Sequence, residues 1–173
     1  MTVMTILVGV VSMRVTDVSA ESKSTKIVEC IRDLRPRATQ YHQDTGRLPR
    51  EYSGWFGPSF HTLSEDPGTA GWEGPYLDSP IRASWNPCGG QVHIFNYIVD
   101  AYTGDDGFDV DANGATDVRE SQGSMITFWD VPEDVARKVD EAIDSPTAQG
   151  WLNAGSIEYQ RDEQRLSVLL LAP

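Results

Sequence analysis

The stretch Ile27-Val28-Glu29-Cys30-Ile31-Arg32-Asp33-Leu34 decides the fold class of the chain. Within it, Ile27, Cys30, Ile31 and Leu34 recur at i, i+3, i+4 and i+7, which is the spacing of one face of an α-helix. The same stripe continues to Tyr41, and charged residues occupy the other faces. Gly46 followed by Pro49 is a helix stop signal. The sequence therefore predicts one long helix from about Val3 to Asp44.

The remainder of the chain has the patterns of an antiparallel sheet with one short helix. Alternating or apolar runs predict strands at Val92–Val99, Met125–Trp129, Ser156–Gln160 and Leu166–Leu171. The last run is apolar on both faces, so it is expected in the interior of the sheet. Pro132 suits the first turn of a short helix between the second and third strands.

Residues 50 to 90 have no sustained period but are rich in glycine, proline and aromatic residues. Aromatic side chains at this density need a surface to pack on, so the segment is expected to be an ordered loop wrapped on the core. Binding of sugars or of a partner is the alternative use of these rings. The aromatic residues concerned are Trp55, Phe56, Phe60, Trp72, Tyr76 and Trp85.

The stretch from Asp109 to Glu120 has the spacing of a calcium-binding loop. Oxygen-bearing side chains stand at loop positions one, three, five, nine and twelve, and Gly114 stands at position six, where the chain must turn sharply. The flanking sequences do not predict EF-hand helices. The alternative is an Asp/Asn/Gly-rich surface turn, since these residues favour turns. The predicted Ca²⁺ ligands are Asp109, Asp111, Asn113, the carbonyl of Ala115, Asp117 and Glu120.

The composition excludes some classes of function. Fourteen Lys and Arg against 26 Asp and Glu give a formal charge of −12, which disfavours binding to the phosphate backbone of nucleic acids. The sequence shows no nucleophile elbow, phosphate-binding glycine loop or paired-cysteine zinc motif, so no enzymatic activity is expected. Cys30 and Cys88 could form one disulfide in an exported protein, or Cys30 could be a buried free thiol.

The amino terminus excludes one interpretation and leaves two open. The apolar run from Val3 to Val11 is too short for a membrane span, which needs about 20 residues. The run could belong to a cleaved signal peptide ending at Val18-Ser19-Ala20, although no positive charge precedes it. It could also be the lower part of a longer apolar helix.

Three motifs give the chain a family resemblance. Tyr41–Pro49 is similar to a helix end with Tyr, Gly and Pro, and Gly71-Trp72-Glu73-Gly74-Pro75-Tyr76-Leu77 is similar to a Gly-Trp-x-Gly-Pro-Tyr-Leu motif of a wrapped loop. Ser84–Pro87 resembles a shortened Asp-Pro-Trp-Gly-Asn-Pro. With these motifs the chain resembles the type IV pilin-like superfamily, and most closely the major pseudopilin of type II secretion systems.

The resemblance implies a fold, a location and a set of partners. The fold would be an α+β, pilin-like single domain over residues 1–173, with the N-terminal helix (1–45) packed on a small antiparallel sheet of the globular head (46–173). A wrapped loop and a short extra C-terminal helix complete the head. The family's basic leader and the conserved start of its first helix are not found here, so the apolar start of the helix is expected to be truncated.

The implied function is that of a structural filament subunit. The chain would self-associate into a helical filament, contact secretion or pilus machinery proteins and enter the bacterial inner membrane through its N-terminal helix, with a periplasmic head or as a cell-surface filament. Members of the family also bind calcium in a loop between sheet strands. The alternative function is a secreted calcium-dependent adhesin or carbohydrate-binding module that uses exposed aromatic residues.

Overall fold

A long helix opens the structure. The computed structural model describes the backbone of residues 2–54, 56–103, 107–144 and 150–173, and the side chains from residue 19 onward. Helix α1 runs over Thr2–Thr45 and continues through Pro36. Gly46 closes it with φ +68° and with an N–H that donates to the carbonyl of His42 at 2.8 Å. The predicted helix is confirmed, and its predicted end is within one residue of the observed end.

A five-stranded antiparallel sheet forms the head. Its strands have the order β1-β2-β3-β5-β4, and helix α2 (Glu133–Ile143) joins β3 to β4. The interior position predicted for the last strand is confirmed, because β5 lies between β3 and β4. The strands are β1 (Glu51–Tyr52), β2 (Val92–Phe95), β3 (Ser124–Phe128), β4 (Ile157–Gln160) and β5 (Arg165–Leu171).

Strand β2 is shorter than the sequence predicted. The predicted strand extended to Val99, but pairing with β3 ends at Phe95, opposite Met125. Beyond this point the N–H of Ile98 donates to the carbonyl of Glu120 at 2.7 Å, so the backbone leaves the ladder for the following loop. Apolar alternation continues there because Ile98 is still fully buried, although it is no longer in a strand.

Helix α1 packs on one face of the sheet. Ile27, Ile31 and Leu34 are completely buried, as the apolar stripe predicted, and they share a core with Phe128 and Val168 of the sheet. Burial of each such side chain contributes about 1.5–3 kcal/mol. This core also takes in the apolar side of α2, so both helices cover the same face.

The opposite face of the sheet carries a second, smaller core. Phe95 and Met125 are cross-strand partners that point away from α1, whereas their neighbours Ile94 and Ile126 point toward it. This is the period-two alternation of a strand. Phe108, from the loop between β2 and β3, is fully buried in the second core. The acidic loop (residues 109–120) is therefore attached to the sheet through Phe108.

The aromatic loop (residues 50–90) is wrapped on the core, and most of its described aromatic rings pack there as predicted. Tyr76 is buried, and Trp72 and Trp85 are half-buried against the core beneath α1. Phe56 is the exception, with 41% of its surface exposed. Trp55 lies outside the described residues. Both cysteines are free thiols at half-buried positions, and burial raises the pKa of Cys30 to about 12.

Candidate metal centre

A short ladder holds the two ends of the acidic loop together. The N–H of Phe108 donates to the carbonyl of Val118 at 2.9 Å, and Val118 returns a bond of 3.1 Å. Gly107, with φ +132°, precedes this ladder, and a Cβ there would overlap the carbonyl oxygen of Val118. Because Phe108 is anchored in the second core, the ladder sets Asp109 beside Asp117.

Three predicted ligands converge above this ladder. Carboxylate oxygens of Asp109, Asp111 and Asp117 all lie within 4.8 Å of one another. Ca²⁺ binds oxygen ligands at about 2.3–2.6 Å, so one ion at the centre could contact all three groups. Without an ion, the three negative charges repel one another at this separation.

The loop turns around the first carboxylate. Asp109 accepts hydrogen bonds from the backbone N–H groups of Asn113 (3.1 Å) and Gly114 (2.8 Å). Gly114 has φ +87°, which confirms the sharp turn predicted at loop position six. Asp117 accepts a bond of 3.2 Å from the N–H of Asp111, which ties the two sides of the loop together. These backbone N–H donors orient the carboxylates of Asp109 and Asp117 before any ion binds.

Of the other three predicted ligands, Asn113 and Ala115 hydrogen-bond within the loop, and Glu120 lies apart from the carboxylate cluster. The side-chain oxygen of Asn113 accepts a bond from the N–H of Ala115 at 2.8 Å, and its amide nitrogen donates to Asp111 at 2.9 Å. Glu120 is exposed, and its carboxylate is not part of the cluster of three. Its contribution to the loop is its backbone carbonyl, which accepts the bond from Ile98.

Strand-like backbone flanks the loop on both sides. The Phe108–Val118 bridge takes the place that helices occupy in an EF-hand, and no helix lies between Phe108 and β3. After the loop, the prediction that no EF-hand helix follows is confirmed; on the entering side, residues 104–106 lie outside the described residues. Asp109 is half-buried, whereas Asp111 and Asp117 are exposed, so a cation held here would keep part of its water shell.

A contact distant in sequence supports the start of the loop. The N–H of Gly155 donates to the carbonyl of Asp109 at 2.7 Å. Ser156 in turn donates to Oδ1 of Asp144, the residue that caps α2. This support is not predictable from local sequence, where its one signal is Gly155, a glycine at a position with φ +99°.

A buried carboxylate, Glu51, is hydrogen-bonded to a buried imidazole, His61. Oε1 of Glu51 is 3.2 Å from Nδ1 of His61, and the same carboxylate accepts bonds from the N–H of Leu63 and the hydroxyl of Ser64. Burial raises the pKa of Glu51, although these partners oppose that shift. The bonds attach the start of the aromatic loop to β1, which is a structural role.

Two further observations bear on function. No helix in the described part of the chain is both long enough and apolar enough to cross a membrane. Comparison with protein-family models, with curated proteins and with solved structures returns no match.

Proposed function

We propose that this chain is a structural subunit of a type II secretion pseudopilus or of a type IV pilus-like filament, with a calcium-binding loop that stabilises its globular head. The observation that supports the proposal is the attachment of the head to the end of α1. A filament built on packed helices needs heads that are held rigidly on those helices. The contacts that do this here come from the motif on which the resemblance rests.

Tyr76 is the centre of that attachment. Its hydroxyl donates to Oδ2 of Asp44 at 2.8 Å, and its carbonyl accepts a bond of 2.7 Å from Arg37. Its ring meets that of Tyr41 edge to face, with centroids 5.6 Å apart. Because Arg37, Tyr41 and Asp44 all belong to α1, one residue of the loop contacts the helix along two turns.

The glycine and tryptophan of the motif complete the attachment. Gly71 passes so close to α1 that a Cβ would overlap the carbonyl oxygen of Asp44, and it has φ +83°. Only glycine meets both conditions. The indole N–H of Trp72 donates to the carbonyl of Thr62 at 2.8 Å, which fastens the motif to the rest of the aromatic loop.

The acidic loop supplies the second part of the proposal. The head belongs to a chain with a formal charge of −12, and close packing of such heads is opposed by their mutual repulsion. A Ca²⁺ ion at Asp109, Asp111 and Asp117 would neutralise part of this charge. An ion that binds only the native loop also stabilises the head by mass action.

The partners follow from the same proposal. The helix would pack against helices of neighbouring copies, and its apolar start would lie in the inner membrane before assembly. Proteins of the secretion or pilus machinery would then receive the subunit. The head would face the periplasm or the cell exterior, where calcium is plentiful.

The proposal is tested by comparing how the full chain and a shortened chain assemble. The full chain and a version starting at Glu21 are compared by size-exclusion chromatography and electron microscopy, with and without calcium. We expect the full chain to require detergent and to form oligomers or fibres, more readily with calcium, and the shorter chain to stay monomeric. A full chain that runs as a detergent-free monomer in both conditions would overturn the filament function and favour the secreted binding module.

A further inference from the structure

A cavity opens beside the C-terminal end of α1, away from the acidic loop. Its volume is about 470 Å³, which is within the usual range for small-molecule sites. Two arginines contribute to its wall, in a chain whose net charge is strongly negative. Its lining includes Arg47, Leu48, Arg50, Ser59, Thr69 and Asn96; we call it the arginine pocket.

Arg50 is fixed in place by its surroundings. Its backbone N–H donates to the hydroxyl of Thr62 at 2.9 Å, and its carbonyl accepts a bond of 2.8 Å from the backbone N–H of Thr62. Its Nε donates to Oδ1 of Asn96 at 3.0 Å, and its guanidinium lies 5.1 Å from the ring centre of Phe60. The side chain is therefore oriented before a ligand arrives.

The terminal amino groups of Arg50 remain available. Within the described residues, these two groups donate to no protein acceptor and no carboxylate lies within ion-pair distance. Two other arginines of the head differ in this respect. Arg161 binds Glu133 at 2.8 Å, and Arg165 binds Glu163 at 2.9 Å. A half-buried guanidinium that is oriented but has no counter-charge has donors to offer an incoming anion.

Arg47 brings a second positive charge to the same cavity. Its backbone is held by the end of α1, because its N–H donates to the hydroxyl of Thr45 at 3.1 Å and its carbonyl lies 3.1 Å from Nδ1 of His42. Its exposed side chain has no ion-pair partner among the described residues. Two arginines in the lining of one cavity, together with hydroxyl-bearing residues, are the groups that recognise oxyanions.

We propose that the arginine pocket binds the carboxylate or phosphate group of a small anionic ligand. The planar fork of Arg50 would hold two oxygens of the anion, and Arg47 would add a second positive charge. Hydroxyl groups of Ser59 and Thr69 are polar donors in the lining, and Leu48 belongs to its apolar part. The proposal is independent of the filament and of calcium, because none of these residues belongs to the acidic loop.

Titration of the full chain in detergent tests the pocket. Inorganic phosphate and citrate are added separately at constant ionic strength without calcium, and the Nε–H signals of Arg47 and Arg50 are followed by NMR; glucose is the neutral control. We expect saturable shifts with at least one of the two anions and none with glucose. The anion that binds more tightly identifies the ligand class as phosphate or carboxylate.

Three variants complete the experiment. Arg47→Ala and Arg50→Lys should each weaken binding by about tenfold, because each removes a charge-assisted contact. Arg50→Lys keeps the charge and removes the fork. Exposed Arg82, outside the pocket, supplies the control Arg82→Ala, which should bind like the wild type. Thermal melts establish that each variant is folded. Shifts that never saturate, or equal affinities in Arg47→Ala and Arg82→Ala, would overturn the proposal.

Discussion

Gly155 donates its backbone N–H to the carbonyl of Asp109, so the segment before β4 supports the first residue of the acidic loop across 46 positions of sequence. The bond is 2.7 Å long. The loop is thus held from two sides: by its own ladder at Phe108 and by a backbone that comes from another part of the head. Its carboxylates are set by tertiary structure as well as by local spacing.

Calcium is expected to stabilise the protein through this loop. At a free calcium concentration of about 100 times Kd, binding adds about 2.7 kcal/mol, which corresponds to a rise in Tm of about 5 °C or more for a chain of this size. Thermal melts with excess calcium and with chelator measure the difference. Asp111→Ala should abolish it, whereas Asp162→Ala, in the exposed turn between β4 and β5, should retain it. Identical melts of the wild type in the two conditions would refute the calcium assignment.

Gly155→Ala should destabilise the support of the loop. The residue has φ +99°, and a Cβ would overlap the Asp144 carboxylate that binds Ser156. Gly68→Ala is the matched control, because Gly68 has φ +72° but no atom within 4 Å of a Cβ. Both variants carry backbone strain of about 1–3 kcal/mol, and only Gly155→Ala adds the overlap. Urea unfolding should therefore show a larger loss for Gly155→Ala; equal losses would mean that Asp144 moves aside without cost.

Gly71→Ala tests the attachment of the head to α1. The overlap here is with the backbone carbonyl of Asp44, which cannot rotate away. Gly46→Ala shares the positive φ but has open space around the Cβ. Overpacking typically costs about 1–3 kcal/mol, so the free energy of unfolding should fall by about that much more in Gly71→Ala. A difference within experimental error between the two variants would show that the motif glycine is not needed for close approach.

Asp140 should make stability depend on pH. Burial and the charges of Asp144 and Glu141 raise the pKa of this carboxyl to about 6, and Arg137 opposes the shift. A raised pKa means that the folded state holds the proton more tightly than the unfolded chain. Its contribution to stability is therefore full below about pH 4 and is lost as the pH rises through about 6.

Asp140→Asn should remove that dependence. The variant should be more stable than the wild type at pH 7, by about 1 kcal/mol, and the difference should shrink toward pH 4. Melts from pH 4 to pH 8 measure it, with Asp162→Asn as an exposed control that leaves the profile unchanged. A constant difference across this range would show that the substitution acts through packing.

The predictable parts of the fold were those with a sustained local pattern. The stripe of Ile27, Ile31 and Leu34 continues over several turns, and its burial was correctly predicted. The interior position of strand β5 was predictable because its apolar residues lie on both faces of the strand. The predicted end of β2 was wrong because Ile98 is buried by the second core and not by strand pairing, and hydropathy does not distinguish these two causes.

The candidate site was predictable where spacing alone places the groups. Asp109, Asp111 and Asp117 lie together as loop spacing predicted, and Gly114 makes the turn. The tie to Gly155 could not be predicted, because it depends on how β4 approaches the loop in space. The arginine pocket was missed for the same reason: Arg50 and Asn96 are 46 residues apart and meet only after β1 pairs with β2.

The exposure of Asp111 and Asp117 bears on the calcium concentration at which the site fills. A partly hydrated site whose predicted closing residue, Glu120, lies outside the cluster would resemble the weak calcium sites of extracellular modules, with Kd on the order of 10⁻⁴–10⁻³ M. Such a site would stay empty at the low free calcium of a cell interior and fill after export. Under the proposed function, the subunit would be exported with its calcium site empty and would bind calcium on arrival, so the concentration gradient across the membrane would itself set the order of maturation.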